Sequence, residues 1–349
     1  MTAVPVTAGI VTPAEAELPS VSVVIPCRNE VSYIDSCITS VLASDYPRHL
    51  LEILIVDGAS TDGTRESLVR WQMTSAIVHV LDNPRRTVPV AMNIGIKAAC
   101  GDVVVRMDAH CEYPRDYIRQ CAANLVAYGV DNVGGSWKTE PANSSRQAAA
   151  VALAQTSRFG VGAAAYRLGT ETVREADTVP FGTYWRKRLI ELGMYNEAFV
   201  RNQDIELNAR LRAQGGRILY VPSIHCRYFA KRSIGLLAGQ SYYNGFWVVY
   251  GLRFARAPFS PRHLVPFMCL IVSVVLALSG WFVPLLVLMV MYLALDLGTC
   301  AMYSIWHRAP FAWLLLTFPT MHLSYAVGSM NGGIALLCHQ MGHPGSGES

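Results

Sequence analysis

The chain has 349 residues, of which 52% are hydrophobic and only 15% charged, with a mean hydropathy of +0.28. A soluble domain carries about 25% charged residues, so one water-soluble globule is excluded for the whole length. Beyond position 262 only Asp296, Arg308 and Glu348 are charged. A charged globular region therefore precedes a nearly uncharged tail, which excludes intrinsic disorder and a small disulfide scaffold. A net charge of +4 is too mild to point to a polyanion, and no nucleic-acid partner is expected.

The first 18 residues contain no Lys or Arg and lack the charged and apolar regions of a signal peptide. Residues 1–19 are read as a disordered leader. From 21 onward, short β-rich runs alternate with stretches of helical length. The runs are 21–25, 53–56, 77–81 and 103–107, and the helical segments 30–43, 64–72 and 89–99, where Pro89 suits a first turn. Continuous Val, Ile and Leu is what a parallel sheet covered on both faces requires. Four such units predict an α/β domain built on a doubly wound open sheet. Ligands then bind beyond the C-terminal ends of the strands. An Ala-rich stretch (147–154), a Gly-rich stretch (160–169), a strand-like run (178–185), a helix (204–213) and a strand (217–221) follow.

Residues 226–263 hold Arg227, Lys231, Arg232, Arg253, Arg256 and Arg262 without an acidic residue, mixed with Tyr242, Tyr243, Phe246, Trp247 and Phe254. This composition predicts an interfacial helix lying on anionic lipid. The segments 264–280, 282–303 and 311–337 are long enough, or nearly so, to cross a hydrocarbon core of about 30 Å. The third is interrupted by Pro319, His322 and Gly332–Gly333. Two to three transmembrane helices are expected. Arg262 before the first and Arg308 after the second place the main domain on the cytoplasmic side. The expected organisation is a domain at 20–225, an interfacial segment at 226–263, membrane helices at 264–337 and a tail at 338–349.

The nine cysteines (27, 37, 100, 111, 121, 226, 269, 300 and 338) contain no C-x-x-C pair. Neither a zinc site nor a disulfide framework is indicated, and buried thiols in a reducing compartment are expected. The chemistry gathers at the strand tips. The first ends in Pro26-Cys27-Arg28-Asn29-Glu30, the second in Val56-Asp57-Gly58-Ala59-Ser60-Thr61-Asp62-Gly63-Thr64, and the fourth in Arg106-Met107-Asp108-Ala109-His110. One such Asp is commonly a helix cap. Three acidic tips converging on one crevice instead call for a cation or hydrogen-bond donors, as a nucleotide diphosphate with a divalent metal supplies. Gly160–Ala165 matches G-x-G-x-x-A but does not follow a strand in a first βα turn, so a dinucleotide site is set aside.

P-x-R-N-E, V-D-G-x-S-x-D-G-T, a D-x-D-like element and a later Gln203-Asp204 together resemble the inverting family 2 glycosyltransferases with a GT-A fold. Phe159-Gly160-Val161-Gly162, Val179–Arg186 and Arg201–Leu207 extend the resemblance to the bacterial succinoglycan and exopolysaccharide glucosyltransferase type, which also ends in membrane helices. The resemblance covers about residues 20–260. It implies that Pro26, Arg28 and Glu30 line the nucleoside site, that Asp57 meets the uracil end of a UDP-sugar, and that Asn93 meets its sugar or diphosphate. Asp108 binds the nucleotide-sugar and, with His110, stands where the family's D-x-D holds Mn²⁺ or Mg²⁺. His in place of the second Asp suits Mn²⁺ better. Asp204 matches the catalytic base, kept ionised by a helix N-terminus that lowers its pKa. Gly182, Arg186 and Gln203 fall on the acceptor or diphosphate side.

Inverting transfer needs one base for the acceptor hydroxyl and stabilisation of the departing diphosphate. The element Q-x-x-R-W of processive synthases is missing from the comparable 240–245, which favours one sugar per acceptor. The expectation is a multi-pass enzyme of the inner membrane, moving a sugar, glucose by resemblance, from a UDP-sugar to a lipid-linked saccharide in exopolysaccharide or cell-surface glycan synthesis. Transfer to polyprenyl phosphate is the alternative within enzymes. A non-catalytic membrane assembly subunit is the alternative outside them.

Overall fold

Val21–Cys27 (β1) reads V-S-V-V-I-P-C and is buried along nearly its whole length, as a strand must be when helices cover both of its faces. In this computed structural model, which describes residues 18–162, 164–253 and 261–342, β1 is the centre of the first of two compact units. That unit comprises residues up to 138 together with 168–228; the second comprises 139–167 and residues from 229 onward. Most of the expected leader, Phe254 and Arg256 of the basic segment, and the end of the tail lie outside the described residues.

In the first unit β1 is followed by α1 (Ile34–Leu42), β2 (Leu51–Asp57), α2 (Thr64–Thr74), β3 (Val78–Asp82), α3 (Val88–Ala98) and β4 (Val103–Arg106). β1 pairs in parallel with β2 on one side and β4 on the other, so Val23 lies opposite both Ile53 and Val105. These residues pack against Ile34, Ile38 and Leu68 from the covering helices, all fully buried. Each such side chain stabilises the fold by about 1.5–3 kcal/mol relative to exposure. The unit continues through β5 (Cys111–Glu112), α4 (Tyr117–Tyr128) and β6 (Asn132–Glu140). The chain then passes through α5 (Arg146–Ala154), α6 (Arg158–Val161) and α7 (Ala165–Leu168), and closes the sheet with β7 (Arg174–Glu175), β8 (Thr183–Trp185), α8 (Arg186–Glu191), α9 (Gln203–Ala213) and β9 (Ile218–Phe229).

The strand order is β3-β2-β1-β4-β8-β6-β9-β5, with β7 also on β9. The expected doubly wound parallel sheet is thus its first four strands. β8 is antiparallel to β4, and β5 and β7 are antiparallel to β9, so the other half of the sheet is mixed. The crossover direction reverses between β1 and β4, which opens a crevice at their C-terminal ends.

The second unit begins earlier in the sequence than the expected boundary at 226. The Ala-rich α5 buries Ala150, Val151 and Ala154 with Leu237, Leu314 and Phe318 of the C-terminal helices. Those helices are α10 (Ile234–Tyr250), α11 (Val265–Leu278), α12 (Phe282–His307) and α13 (Phe311–Gly342). α10 and α13 cross at backbone distance. A Cβ on Gly245 would overlap the Tyr325 carbonyl oxygen, and one on Gly328 or Gly332 would overlap the carbonyls of Tyr242 or Phe246. Small residues that admit this approach are the usual means of packing apolar helices. The glycines that interrupt the third apolar segment are therefore its packing surface. His322 Nε2 donates to the Phe159 carbonyl at 2.9 Å and Nδ1 accepts from Tyr292 Oη at 2.9 Å, since the carbonyl has only lone pairs to offer.

One helix among the described residues, α12, is both long and apolar enough to cross a membrane. Its 26 residues span about 39 Å. α11, with 14 residues, spans about 21 Å and falls short of the about 30 Å core. α13 has the length, with 32 residues, but buries Leu314, Phe318 and Ser329 in the unit.

Candidate active site

The site is assembled from the loops at the C-terminal ends of β1, β2 and β4, all in the first unit. The loops after β1 and β2 are stitched into one platform. Gly58 N donates to the Cys27 carbonyl at 2.7 Å, Asn29 N to Ser60 Oγ at 2.9 Å and Thr61 N to Asn29 Oδ1 at 2.8 Å. Glu30 N donates to Thr64 Oγ1 at 2.8 Å. Arg28 lies across Gly58, where a Cβ would stand 3.2 Å from the Arg28 Cβ. Arg28 is exposed, while Pro26 and Glu30 are half-buried. Asp57 is buried, accepts from Ser60 Oγ at 2.6 Å and faces Arg65 Nη1 at 3.6 Å. Asp62 accepts from Thr64 Oγ1 at 2.6 Å, and that hydroxyl holds its carboxyl below the usual range. Asp62 therefore organises the turn into α2.

β4 ends in Arg106, whose guanidinium is buried. Nη2 pairs with Asp108 Oδ1 at 3.1 Å and Nη1 pairs closely with Asp204 Oδ1. Cζ stands 6.0 Å from the Phe181 ring. Phe181 has φ 49°, a left-handed conformation that is strained for a bulky side chain. The next residue, Gly182, places its carbonyl to accept from Arg106 N at 3.2 Å. The Asp108 peptide is fixed as well, its N donating to Tyr113 Oη at 2.7 Å. His110 Nδ1 donates to Glu30 Oε1 at 3.3 Å, so the resulting tautomer carries its lone pair on Nε2. The His110 ring meets Tyr228 edge-on at 5.6 Å, and Tyr228 stacks on Trp137 at 4.2 Å.

Asp204 sits in the first turn of α9, next to the buried Gln203. Its side chain is crowded yet 26% open to solvent, the open edge being where a hydroxyl can reach it. Burial raises its pKa above the ordinary carboxylate value, the Arg106 charge opposing and the Asp108 charge reinforcing the rise. This corrects the expectation that the helix N-terminus lowers it: half a unit charge at a helix end is outweighed by desolvation. A carboxylate lifted toward neutral pH is the better base.

Two expected site residues act elsewhere. Arg186 donates its backbone N to the Asp102 carbonyl at 2.8 Å, and its Nε to the Ile96 carbonyl at 3.3 Å. Because β8 is antiparallel to β4, with Val105 opposite Thr183 and Val103 opposite Trp185, the chain from Gly182 to Arg186 runs about 13 Å away from the site. Arg186 thus lies beside Asp102, at the start of β4. Asn93 holds the Tyr195 backbone, its Nδ2 donating to Tyr195 O and its Oδ1 accepting from Tyr195 N, both at 2.9 Å. Tyr195 is itself buried, and its hydroxyl faces Arg106 and Asp204. Residues 159–162 belong to the second unit. Arg106 and Tyr195 escaped the sequence reading, although an arginine closing an all-valine strand was a visible signal.

Asp108 and His110 suit a divalent cation in chemistry. One offers a carboxylate and the other an imidazole oriented by the Glu30 carboxylate, a usual outer-shell arrangement. Among the described residues no third His, Cys, Asp or Glu completes a ligand set.

The chain is similar to known proteins in sequence and in fold. Residues 22–169 match the family model described as Glycosyl transferase family 2. Over these residues the chain is similar to the family 2 glycosyltransferases. It is 29% identical to the succinoglycan biosynthesis protein ExoA of Rhizobium meliloti, over 89% of this chain and 95% of that one. It is 27% identical to a Methanococcus voltae enzyme, the dolichyl N-acetyl-alpha-D-glucosaminyl phosphate 3-beta-D-2,3-diacetamido-2,3-dideoxy-beta-D-glucuronosyltransferase, over 74% of this chain and 82% of that one. A mannosyltransferase from Pyrobaculum calidifontis, solved with GDP-Man and Mn²⁺, shares the fold with a TM-score of 0.63. It has 21% identity and the match covers 93% of this chain and 89% of that one.

Proposed function

We propose that this glycosyltransferase is a membrane-anchored, inverting enzyme that moves a sugar, glucose in the first instance, from a UDP-sugar to a lipid-linked saccharide at the cytoplasmic leaflet. Its product would serve exopolysaccharide or cell-surface glycan synthesis. The observation that carries the reading is the geometry around Arg106. One base, Asp204, is held beside the strand-tip carboxylate Asp108, at the switch point where a nucleotide binds.

Pro26, Arg28, Glu30 and Asp57 line the nucleoside end. Gly182 and Gln203 face the acceptor side, and Asn93 acts through the Tyr195 segment. Asp204 removes the proton of the acceptor hydroxyl as that oxygen attacks the anomeric carbon, and the nucleoside diphosphate leaves on the opposite face. No protein acid is needed for so good a leaving group, in contrast to glycoside hydrolysis. Asp108 and His110 would hold Mn²⁺ or Mg²⁺, which supplies neutralisation of the charge gathering on the diphosphate. The similarity to ExoA and to the enzyme named for a dolichyl-linked substrate supports a lipid-linked acceptor and a role in glycan assembly. The apolar α12 supports anchoring.

The test is nucleoside diphosphate release by the full-length protein in detergent, with UDP-glucose, other UDP-sugars and GDP-mannose, each with Mn²⁺ or Mg²⁺, with and without lipid extract. Release of UDP that requires both metal and lipid supports the reading. Release from GDP-mannose alone, or release indifferent to lipid, overturns its donor or its acceptor.

A further inference from the structure

The group that links the two halves of the site is Arg106. A buried ion pair contributes little net stability, because desolvation offsets the Coulombic gain and apolar residues of similar volume often serve as well. Arg106 is nonetheless buried at the end of β4, and its two terminal nitrogens reach two carboxylates with different proposed tasks, Asp108 and Asp204. Its Nε is also buried and makes no hydrogen bond among the described residues. What aims the guanidinium is the pair of carboxylates, with the Phe181 ring 6.0 Å from its Cζ. The strained Phe181 backbone adds a second device for the same end, since it delivers the Gly182 carbonyl to Arg106 N.

We propose that Arg106 is the positioning residue for the base: its fork holds the Asp204 carboxylate toward the acceptor while its other arm fixes Asp108 at the donor. The proposal rests on the transferase reading above and deepens it. Arginine suits the task because its planar fork engages two carboxylates at once, whereas a lysine ammonium is a single point charge. The groups facing Asp204 are Arg106, Asp108 and Tyr195, and of these Arg106 is the cation.

The test compares Arg106→Gln and Arg106→Lys with the wild type, and repeats the Gln change in Asp204→Glu, whose carboxylate is already displaced by one methylene. Thermal melting and UDP binding by calorimetry accompany the kinetics. A positioning role predicts that Arg106→Gln lowers kcat about 100-fold, a loss far larger than any weakening of UDP binding, that Arg106→Lys regains part of it, and that the loss is much smaller in Asp204→Glu. An equal loss in both backgrounds, or loss of UDP binding with kcat retained, overturns it. A third readout needs no turnover: carbodiimide labelling of Asp204, mapped by mass spectrometry, rises in Arg106→Gln if the arginine holds that carboxyl and stays level if it does not. Absent turnover in the wild type counts against the transferase reading, while the labelling still decides the role of Arg106.

Discussion

Asp204 is subject to two opposed influences, the crowding that raises its pKa and the Arg106 charge that lowers it. Crowding prevails, which has a consequence for pH. On the proposed role as base, Asp204 works only when ionised, so kcat falls as pH falls through its pKa, and that limb lies above the about 3.9 of an ordinary aspartate. A kcat–pH profile checks this; a limb at the ordinary value would contradict it. The nucleoside platform allows a separate prediction. A Cβ at Gly58 stands 3.2 Å from Arg28 Cβ, so Gly58→Val displaces Arg28 from its seat. It should raise the donor KM about 10-fold with kcat little changed, the pattern of lost uniform binding. The same side chains show what a sequence discloses. Acidic residues at strand tips were legible because nothing in a sheet core tolerates them. Arg106 and Tyr195 were not, because their significance lies in partners far away in the chain.

The segment after α8 is held by contacts from two helices. Glu206 of α9 is buried and pairs with Arg210 at 2.6 Å, and Arg210 Nη2 reaches the Met194 carbonyl at 2.6 Å. Asn93 of α3 grips the neighbouring Tyr195 backbone. Arg210→Ala strands the Glu206 charge and should destabilise the protein by about 3–5 kcal/mol, read by chemical denaturation, with activity lost before the fold is. In the second unit, Gly332→Leu forces α13 off the Phe246 carbonyl and should cost at least about 1–3 kcal/mol, seen as a lower melting temperature. Unchanged melting in either variant would contradict the packing described. β1 to β4 were legible as elements because covered parallel strands must be continuous Val and Ile. The direction of β8 was not, since residue pattern carries no strand polarity. Two-residue strands such as β5 and β7 are too short for any periodicity.

The chain as a whole joins an α/β sheet unit to an apolar unit whose helix α12 leaves Val287, Val290 and Leu297 exposed. On the proposed anchoring, this apolar surface faces the bilayer. The full-length protein should therefore sediment with membranes and resist extraction by alkaline carbonate. Val290→Arg, on the exposed face of α12, should shift part of it to the soluble or aggregated fraction. Composition made this division visible from the loss of charge beyond 262. It did not reveal that 139–167 joins the apolar unit, because an alanine-rich helix serves either environment equally well.

The claim on which the rest depends is that Asp204 is the base of a sugar transfer. The most direct measurement is single-turnover UDP release by the full-length wild type and Asp204→Asn, at saturating UDP-sugar, metal and lipid extract, with UDP binding measured on both. Removing the base while keeping the side chain's shape should slow release by about 10²–10⁴-fold with UDP affinity unaltered. Equal release from the two proteins would show that Asp204 is not the base and contradict the mechanism.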